Sequence, residues 1–368
     1  MKQAKVYFTD FRMRNDDNHQ TKLRRLMEAA GMDQIDFRDK FVAIKIHFGE
    51  LGNLAFLRPN FARYVADYVK ELGGKPFLTD CNTLYVGSRK NALDHLDTAM
   101  LNGFGPMTTG CQVIIADGLR GTDDVEVPVE GGVLCRTAKI GRAIMDADIV
   151  ISLNHFKGHE MTGFGGALKN LGMGCGSRDG KTDMHAEGKP LVKQELCVGC
   201  GACARVCAHE GPRFEKNGKA YIDHSRCLGC GRCIGVCPQK AIEKMDDQVS
   251  VHLNRKIAEY AKAVVDGRPC FHINIVNQVS PNCDCHPESD AAIVPDVGMF
   301  ASFDPVAIDV ACADAVNRQP VTPMGLLAGK AGAADRFHSL HPITDWRSGP
   351  EHGETIGLGT MDYELVTV

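Results

Sequence analysis

Three consecutive stretches decide the fold of this chain: FVAIKIHF at residues 41–48, RPNFARYVADYVKELGG at 58–74 and PFLTDCN at 76–82. The first and third are short apolar runs of the kind that form buried strands. The middle stretch has Pro59 near its start and Gly73 near its end, the usual boundaries of a helix. Its apolar residues share one helical face: Phe61, Tyr64, Val65, Tyr68, Val69 and Leu72. This order predicts a βαβ unit with parallel strands.

The same alternation of strand and helix extends over both ends of the chain. Beyond 42–47 and 76–79, apolar runs predict strands at 6–9, 113–116, 149–153, 270–276 and 291–294. A helix is predicted at 253–265, and another begins where Asp304 and Pro305 provide an N-cap and a first turn. The pattern therefore predicts the α/β class, with a mostly parallel sheet covered by helices.

Two cysteine runs interrupt this pattern, CVGCGACARVC at residues 197–207 and CLGCGRCIGVCP at 227–238. C-x2-C-x2-C-x3-C is the ligand spacing of 4Fe-4S clusters, in which the fourth cysteine of each run serves the other cluster. The alternative is a pair of zinc knuckles, but structural zinc sites usually use two C-x2-C pairs separated by a longer loop. We therefore predict two 4Fe-4S clusters, one held by Cys197, Cys200, Cys203 and Cys237 and the other by Cys207, Cys227, Cys230 and Cys233.

The cysteine runs divide the chain into three parts. Residues 1–189 and 249–368 are predicted to form one discontinuous α/β domain, which includes a C-terminal tail, and residues 190–248 form an inserted α+β module. Within the insert, Asn217 and Gly218 stand between short alternating stretches and predict a hairpin turn.

Composition excludes several classes of function. The formal net charge of -4 gives no broad basic surface for nucleic acid. No apolar run approaches the roughly 20 residues of a membrane span, and the first residues lack the apolar core of a signal peptide. Half of the 16 cysteines lie in the two runs, which favours a reducing compartment over a disulfide scaffold. We expect a cytoplasmic protein with no membrane and no nucleic-acid partner.

Polar residues follow several predicted strands at the point where each strand ends. In an open α/β sheet, ligands bind beyond the carboxyl ends of the strands. Each such residue alone is more simply a solvated strand end, but several of them converging predict a functional cleft. The residues are Lys45, His47, Asp80, Asn82, Asn154, His155, Lys157 and His159. We predict catalytic roles for His47, His155, Lys157 and His159, which would bind or protonate a substrate.

A glycine-rich stretch, MTGFGGALKNLGMGCGSRDGKTDMH, follows His159 directly. Glycines let backbone N–H groups approach an anion, and Lys169 and Lys181 add positive charge. We predict that these two lysines bind a cofactor or a small anionic substrate. The stretch does not match a nucleotide P-loop, because Cys175 occupies the first glycine position. Its alternative role is a plain connection into the insert.

A third cluster of polar residues is PNCDCHPESD at residues 281–290. Thiolate and imidazole ligands together suit iron, zinc, nickel or copper. An additional metal near Cys283, Cys285 and His286 is therefore one interpretation, and free thiols in a polar loop are the other.

Two resemblances add to these inferences. Residues 190–248 resemble the bacterial two-cluster ferredoxin module, although Ala208 stands after the first run where Pro238 follows the second. The chain as a whole resembles the iron-sulfur branch of the family called domain of unknown function 362. That likeness rests on KIHFGELGNLAFLRP, LNHFKGHEMTGFGGALKNLGMGCGSRDGK, the cysteine runs, and NCDCH followed by DVGMFASFDPVAIDVA. It implies an α/β domain with an embedded two-cluster ferredoxin.

Three functions fit these observations. The first is an iron-sulfur oxidoreductase whose insert exchanges electrons with an anionic-substrate site in the α/β body. The second is an electron-carrier or adaptor subunit that serves a redox partner protein and has no substrate chemistry of its own. The third is a non-redox, metal-dependent isomerase-type enzyme.

Overall fold

The computed structural model describes residues 3–244, 248–330 and 332–368. The strands of these residues, in chain order, are β1 Ala4–Asp10, β2 Phe41–Lys45, β3 Lys75–Asp80, β4 Gln112–Ile115, β5 Asp124–Pro128, β6 Thr137–Gly141, β7 Ile149–His155, β8 Lys157–His159, β9 Gly163–Gly165, β10 Pro190–Val192, β11 Pro212–Phe214, β12 Ala220–Ile222, β13 Ile242–Lys244, β14 Cys270–Val276, β15 Gly298–Ser302 and β16 Tyr363–Thr367. The helices are α1 His19–Ala29, α2 Pro59–Glu71, α3 Ala92–Leu101, α4 Pro106–Thr109, α5 Arg142–Met145, α6 Ala167–Cys175, α7 Arg178–His185, α8 Ala202–Arg205, α9 Arg232–Gly235, α10 Gln248–Val265, α11 Pro305–Asn317, α12 Arg336–Leu340 and α13 Ser348–Thr355.

Eight of the strands form one large sheet in the order β16-β1-β15-β14-β7-β2-β3-β4. The neighbours β14, β7, β2, β3 and β4 are all parallel, and β16 runs parallel to β1. Strand β15 is the exception, since it pairs antiparallel with both β1 and β14. The prediction of a mostly parallel sheet covered by helices is confirmed.

The centre of the sheet is buried on both faces. Every residue of β7 is buried, which explains its apolar start at residues 149–151, and its buried polar residues Ser152, Asn154 and His155 are hydrogen-bonded. Ile151 lies in the same core as residues of α1 and α2, whereas its neighbour Val150 lies in a second core with residues of α6 and α10. Because successive side chains of a strand point to opposite faces, one strand joins the two cores.

One predicted strand is wrong. Residues 291–294 form no strand, although Ile293 and Val294 are buried, and the strand of this region is β15 at Gly298–Ser302. The backbone N–H of Ile293 donates to the carbonyl of Val279 at 2.9 Å instead of joining a ladder. An apolar run shows that a segment is buried, but it does not distinguish a strand from an irregular segment packed on a core. The predicted start of α11 is correct, since Asp304 accepts hydrogen bonds from the backbone N–H groups of Val306 and Ala307.

Residues 190–244 contribute no strand to the large sheet. They form two separate two-stranded ladders, β10 with β13 and β11 with β12, and the short helices α8 and α9. The predicted hairpin is present between β11 and β12, and Gly218 adopts a φ of 79° in its turn. The predicted end of the insert at residue 248 is the first residue of α10, while residues 245–247 lie outside the described residues.

None of the helices in the described parts of the chain is both long and apolar enough to cross a membrane.

A substitution of Asp309 on α11 tests how much this packing contributes to stability. Its buried carboxylate accepts from the backbone N–H groups of Ala167 and Leu168 at 2.7 and 2.9 Å, and from Asn274 Nδ2 at 2.8 Å. We expect Asp309→Ala to lower the free energy of unfolding by roughly 3 kcal/mol, because it strands three buried donors. Chemical denaturation measures this loss. Asp97→Ala, at an exposed position, should change it by less than about 0.5 kcal/mol; equal effects of the two substitutions would contradict the prediction.

Candidate functional site

A cavity lies at the carboxyl ends of β2, β3 and β7, where Lys45, Asp80 and His155 end the strands. Strand β3 extends the sheet from β2 in one direction and β14 extends it from β7 in the other, so the cavity is at a topological switch point. Its volume is about 110 Å³. One water needs roughly 10–15 Å³ on the same measure, so the cavity has room for a small molecule. All six residues with a predicted catalytic or cofactor-binding role line it: His47, His155, Lys157, His159, Lys169 and Lys181.

A buried ion-pair network forms the floor of the cavity. Lys45 Nζ lies 2.8 Å from Asp80 Oδ1 and donates to Asn170 Oδ1 at 2.7 Å. Arg89 lies 3.6 Å from the other oxygen of Asp80 and 3.1 Å from Glu50 Oε2. Burial raises the pKa of the Asp80 carboxyl, but Lys45 and its other cationic neighbours outweigh this and hold the pKa well below its usual range. These charges neutralise one another and give the site a rigid base.

A second buried carboxylate, Asp284, holds two of the predicted catalytic residues. Asp284 Oδ2 lies 2.8 Å from His155 Nδ1 and 3.3 Å from Lys157 Nζ. The other ring nitrogen of His155 lies 2.8 Å from the carbonyl oxygen of Asn277. Both partners of the His155 ring are acceptors, so its two nitrogens both act as donors. The structure therefore brings His155 and Lys157 together around Asp284, where they position that carboxylate.

His47 and His159 are held in a different way. His47 Nδ1 accepts from the backbone N–H of Gly49 at 3.0 Å, and His159 Nδ1 accepts from those of Met161 and Thr162 at 3.0 and 3.2 Å. A neutral ring whose Nδ1 accepts carries its proton on Nε2. Burial, and then the charge of Arg89, lower the pKa of His47 well below its usual value, so this ring is neutral. Each of the two rings thus has an Nε2–H group available as a donor.

The loop after β14 brings a pair of thiols to the same place. Lys169 Nζ lies 3.6 Å from Cys283 Sγ, and both cysteines of the pair are buried. A hydrogen bond from Cys285 lowers the pKa of Cys283 well below its usual value, and Lys169 and His159 act in the same direction. The same bond raises the pKa of Cys285. Of the two thiols, Cys283 is therefore the one whose thiolate form is favoured, and the lysine lies beside it.

Two groups of side chains here are close enough to hold a metal ion. One consists of His159, Cys283 and Cys285, and the other of Glu160, Cys285 and His286. The ring nitrogens of His286 lie 2.8 Å from Glu160 and 3.2 Å from Glu288. Burial lowers the pKa of His286, but the contact with Glu160 outweighs it and raises the pKa to about 9. The predicted trio Cys283, Cys285 and His286 is thus divided between two groups that share Cys285.

Lys181 lies on α7, at the far end of the glycine-rich stretch from Lys169. Its Nζ donates to the carbonyl oxygen of Gly176 and it is nearly buried. The glycine-rich stretch folds into α6 and α7 with Ser177 between them, whose hydroxyl caps α7 by accepting from the N–H of Gly180 at 3.1 Å. The stretch therefore places both lysines in the lining of the cavity.

The first predicted set of cluster ligands surrounds a cavity of its own. Cys197, Cys200, Cys203 and Cys237 all line it, and the backbone N–H groups of Ala220 and Ala241 donate to Cys197 Sγ and Cys237 Sγ, each at 3.3 Å. Among the described residues, which include all eight cysteines of the two runs, none of these thiols belongs to a group close enough for a single ion.

The second predicted set lies against the α/β body. Cys230 lines the main cavity, and the backbone N–H groups of Gly211 and Gly229 donate to Cys207 Sγ at 3.2 Å and Cys227 Sγ at 3.4 Å. Arg232, two residues after Cys230, donates to the carbonyl oxygen of Cys285 at 3.1 Å. The cysteine loop and the thiol pair of the body therefore meet at the cavity.

Sequence reasoning missed four residues of this site: Arg89, Glu160, Arg232 and the carboxylate role of Asp284. Arg89 and Asp284 stand in loops, where no periodicity marks a buried charge. Their partners are remote in sequence, since Arg89 pairs with Glu50 across 39 residues and Asp284 with His155 across 129. Only Glu160 had a local signal, because it directly follows His159 in a stretch already rich in polar residues.

Comparison with known proteins gives one family and two remote structures. Residues 42–314 match the family described as domain of unknown function (DUF362). No curated protein matches the chain. Among solved structures, it is similar to the lactate racemase apoprotein from Thermoanaerobacterium thermosaccharolyticum, with 10% identity and a TM-score of 0.39 over 75% of this chain and 51% of that chain. A structural-genomics target from Thermotoga maritima has 12% identity and a TM-score of 0.38 over 80% of this chain and 56% of that chain. The chain thus spans about half the length of these two structures.

The matched range, 42–314, covers most of the 368 residues and includes both cysteine runs and the polar ends of β2, β3 and β7. The chain therefore belongs to the family described as domain of unknown function (DUF362).

Proposed function

We propose that the protein is an iron-sulfur oxidoreductase, in which residues 190–244 hold two 4Fe-4S clusters and exchange electrons with a small anionic substrate in the α/β body. One observation carries this proposal: Cys230, a ligand of the second set, lines the same cavity as His47, His159 and Lys169. A cluster held by Cys207, Cys227, Cys230 and Cys233 would thus border the substrate site directly.

The cysteine geometry supports the cluster assignment. Four thiols of one set converge on a single cavity, and backbone N–H groups donate to a thiol sulfur in both sets, as expected around cluster ligands. The two cysteine runs also repeat one another, since Cys197, Cys200, Cys203 and Cys207 each have a counterpart 30 positions later. Gly199 and Gly229 have φ angles of 68° and 77° at matching positions of the two loops. When bound, the clusters would supply one-electron transfer.

The charges of the cavity support an anionic substrate. Lys45, Arg89 and Lys157 already face buried carboxylates, so they hold the site together. Lys169 lies beside Cys283 and also interacts with Glu160. Lys181 donates to the carbonyl oxygen of Gly176 and also interacts with Asp117. Among the described residues, neither lysine forms a direct ion pair with a carboxylate. In our proposal these two lysines counter the charge of the substrate, His47 and His159 donate to it from Nε2, and His155 and Lys157 keep Asp284 in place. The proposed compartment is the cytoplasm, where thiol ligands stay reduced.

The thiol pair supports a second candidate function, a non-redox metal-dependent enzyme of the isomerase type. Its ligands would be Cys283, Cys285 and His159, which lie within reach of one ion. The hydrogen bonds to His159 Nδ1 count against it, because they leave the proton on the Nε2 that a metal would need. The adaptor function is less favoured, since a cavity with room for a small molecule, lined by several lysines, has no role in a subunit that only relays electrons.

The cluster assignment predicts the iron content. Anaerobically purified protein should contain about eight iron atoms per chain and give the EPR signals of reduced 4Fe-4S clusters. Cys230→Ser should disturb the cluster next to the cavity and leave the other one. Cys312→Ser, at a buried cysteine of α11 outside the runs, is the matched control and should retain all the iron. Stoichiometric zinc in place of iron would overturn the proposal.

Substitution of the thiol pair distinguishes the two candidate functions. We expect the double variant Cys283→Ser/Cys285→Ser to keep the iron content and cluster EPR spectra of the unmodified protein, and neither protein to contain another metal. Elemental analysis of both proteins is the measurement. A further metal that is present in the unmodified protein and lost in the variant would favour the metal-dependent enzyme.

The position of Lys169 predicts that this side chain contributes to anion binding in the cavity. We expect oxalate, used as a small dianionic probe, to bind at least tenfold more weakly to Lys169→Gln, because a hydrogen bond to a charged group is worth about 1.5–3 kcal/mol. Titration calorimetry measures the affinity. Lys40→Gln, at an exposed position before β2, should bind oxalate as the unmodified protein does. If both variants bind equally well, Lys169 is not part of the anion site.

A further inference from the structure

The two halves of the cysteine segment have the same local structure but different surroundings. Helices α8 and α9 begin 30 positions apart, as do the cysteines before them. The second half is covered by the α/β body: a Cβ on Gly231 would come within 2.7 Å of Met161 Sδ, and one on Gly229 within 2.2 Å of the carbonyl oxygen of His185. Cys230 lies at the main cavity. One face of the repeat is therefore already used for docking.

The equivalent face of the first half is open. Cys200, the counterpart of Cys230, is exposed, and Val198 is 65% exposed, whereas its counterpart Leu228 is partly buried. Val198 and Phe214 line the same cavity as the first set of thiols. A further apolar side chain, Leu196, is 44% exposed. We call the surface formed by Leu196, Val198, Cys200 and Phe214 the outer face.

The segment that bears the outer face is basic on an otherwise acidic protein. Residues 190–244 contain 9 Lys and Arg against 5 Asp and Glu, a net charge of +4, so the remainder of the chain, with 33 against 41, carries -8. Arg205, Lys216 and Lys240 are exposed. Arg205 donates to the carbonyl oxygen of Cys200 at 3.2 Å, which puts a positive charge directly beside the exposed cysteine.

We propose that the outer face is the docking site of an acidic electron-carrier protein. The inference rests on the proposed function, and it assigns an order to the two clusters. The first set faces the carrier, the second set faces the cavity, and Cys203 and Cys233 share the small core between them. Each encounter transfers one electron, so the carrier changes by one electron and the first cluster by one in the opposite sense.

The composition of the outer face suits this kind of partner. Apolar residues lie around the exposed cysteine and basic residues lie nearby, which matches the apolar centre and polar rim of a protein interface. Electron-transfer complexes are small and short-lived, so a few exposed apolar side chains suffice. The net charges of the segment and of the body are opposite in sign, which would orient an acidic partner towards the segment before contact.

The test uses the full chain with its clusters and a reduced acidic 2Fe-2S ferredoxin as probe. Stopped-flow absorbance measures the second-order rate of electron transfer, and calorimetry measures binding. The rate should fall about tenfold between low and physiological ionic strength. Lys216→Glu/Lys240→Glu should lower it about tenfold at low ionic strength. Lys5→Glu/Lys40→Glu, which changes the net charge equally at exposed positions outside the segment, should stay within twofold of the unmodified protein.

A second pair of variants tests the apolar centre. Val198→Asp should slow the transfer and weaken binding about tenfold, whereas Val133→Asp, at a valine that is 72% exposed outside the segment, should have no effect. Iron content and reduction by dithionite are measured for every variant. A protein without clusters would refute the proposed function. Intact clusters with equal rates in test and control variants, or a rate that rises with salt, would overturn the docking site alone.

Discussion

The site depends on the need to pair one buried carboxylate, that of Asp284. A charge that is fully removed from water has to be matched by a nearby charge or by hydrogen bonds. Asp284 meets this requirement with His155 and Lys157, which end β7 and lie on β8. Its backbone carbonyl accepts from the N–H of Glu50 at 2.9 Å, so the loop between β14 and β15 is also fastened to the segment after β2. Asp284 therefore fixes the position of the loop between β14 and β15, and with it the position of the thiol pair Cys283 and Cys285.

A second polar contact joins the cysteine segment to the α/β body. Arg232 reaches the carbonyl oxygen of Cys285, and its guanidinium lies 4.9 Å from the centre of the Tyr85 ring. A planar cation that both donates and stacks is held more rigidly than a lysine would be. Electron transfer depends on a fixed distance between donor and acceptor. In the proposed function, a segment held by the thiol loop itself would keep that distance fixed, which a flexible tether would not.

The parts of this structure that the sequence predicts are those with local causes. Strand β14 has its predicted bounds because the pattern that marks a strand is local. The spacing of the eight cysteines is also a local pattern, and their role as cluster ligands stays a prediction. The polar residues at strand ends are predictable because parallel strands end at one edge. The pairing of Asp284 with His155, or of Arg89 with Glu50, arises only when distant segments meet. The local sequence around these residues does not indicate either pairing. The wrong prediction of a strand at 291–294 also arises from distant contacts. The apolar residues there indicate burial, but whether a buried segment pairs as a strand depends on which other segments lie beside it.

The β10–β13 ladder has a consequence for how such a chain is assembled. Pro190 and Lys244 are paired across it, so the chain leaves the body and returns to it at adjacent points, roughly 5 Å apart as neighbouring strands are. No strand of the large sheet is contributed by the residues between them. Because the two ends of the cysteine segment adjoin, a short turn of the α/β body can replace the whole segment. Insertion, loss or exchange of the segment therefore leaves the register of the large sheet unchanged.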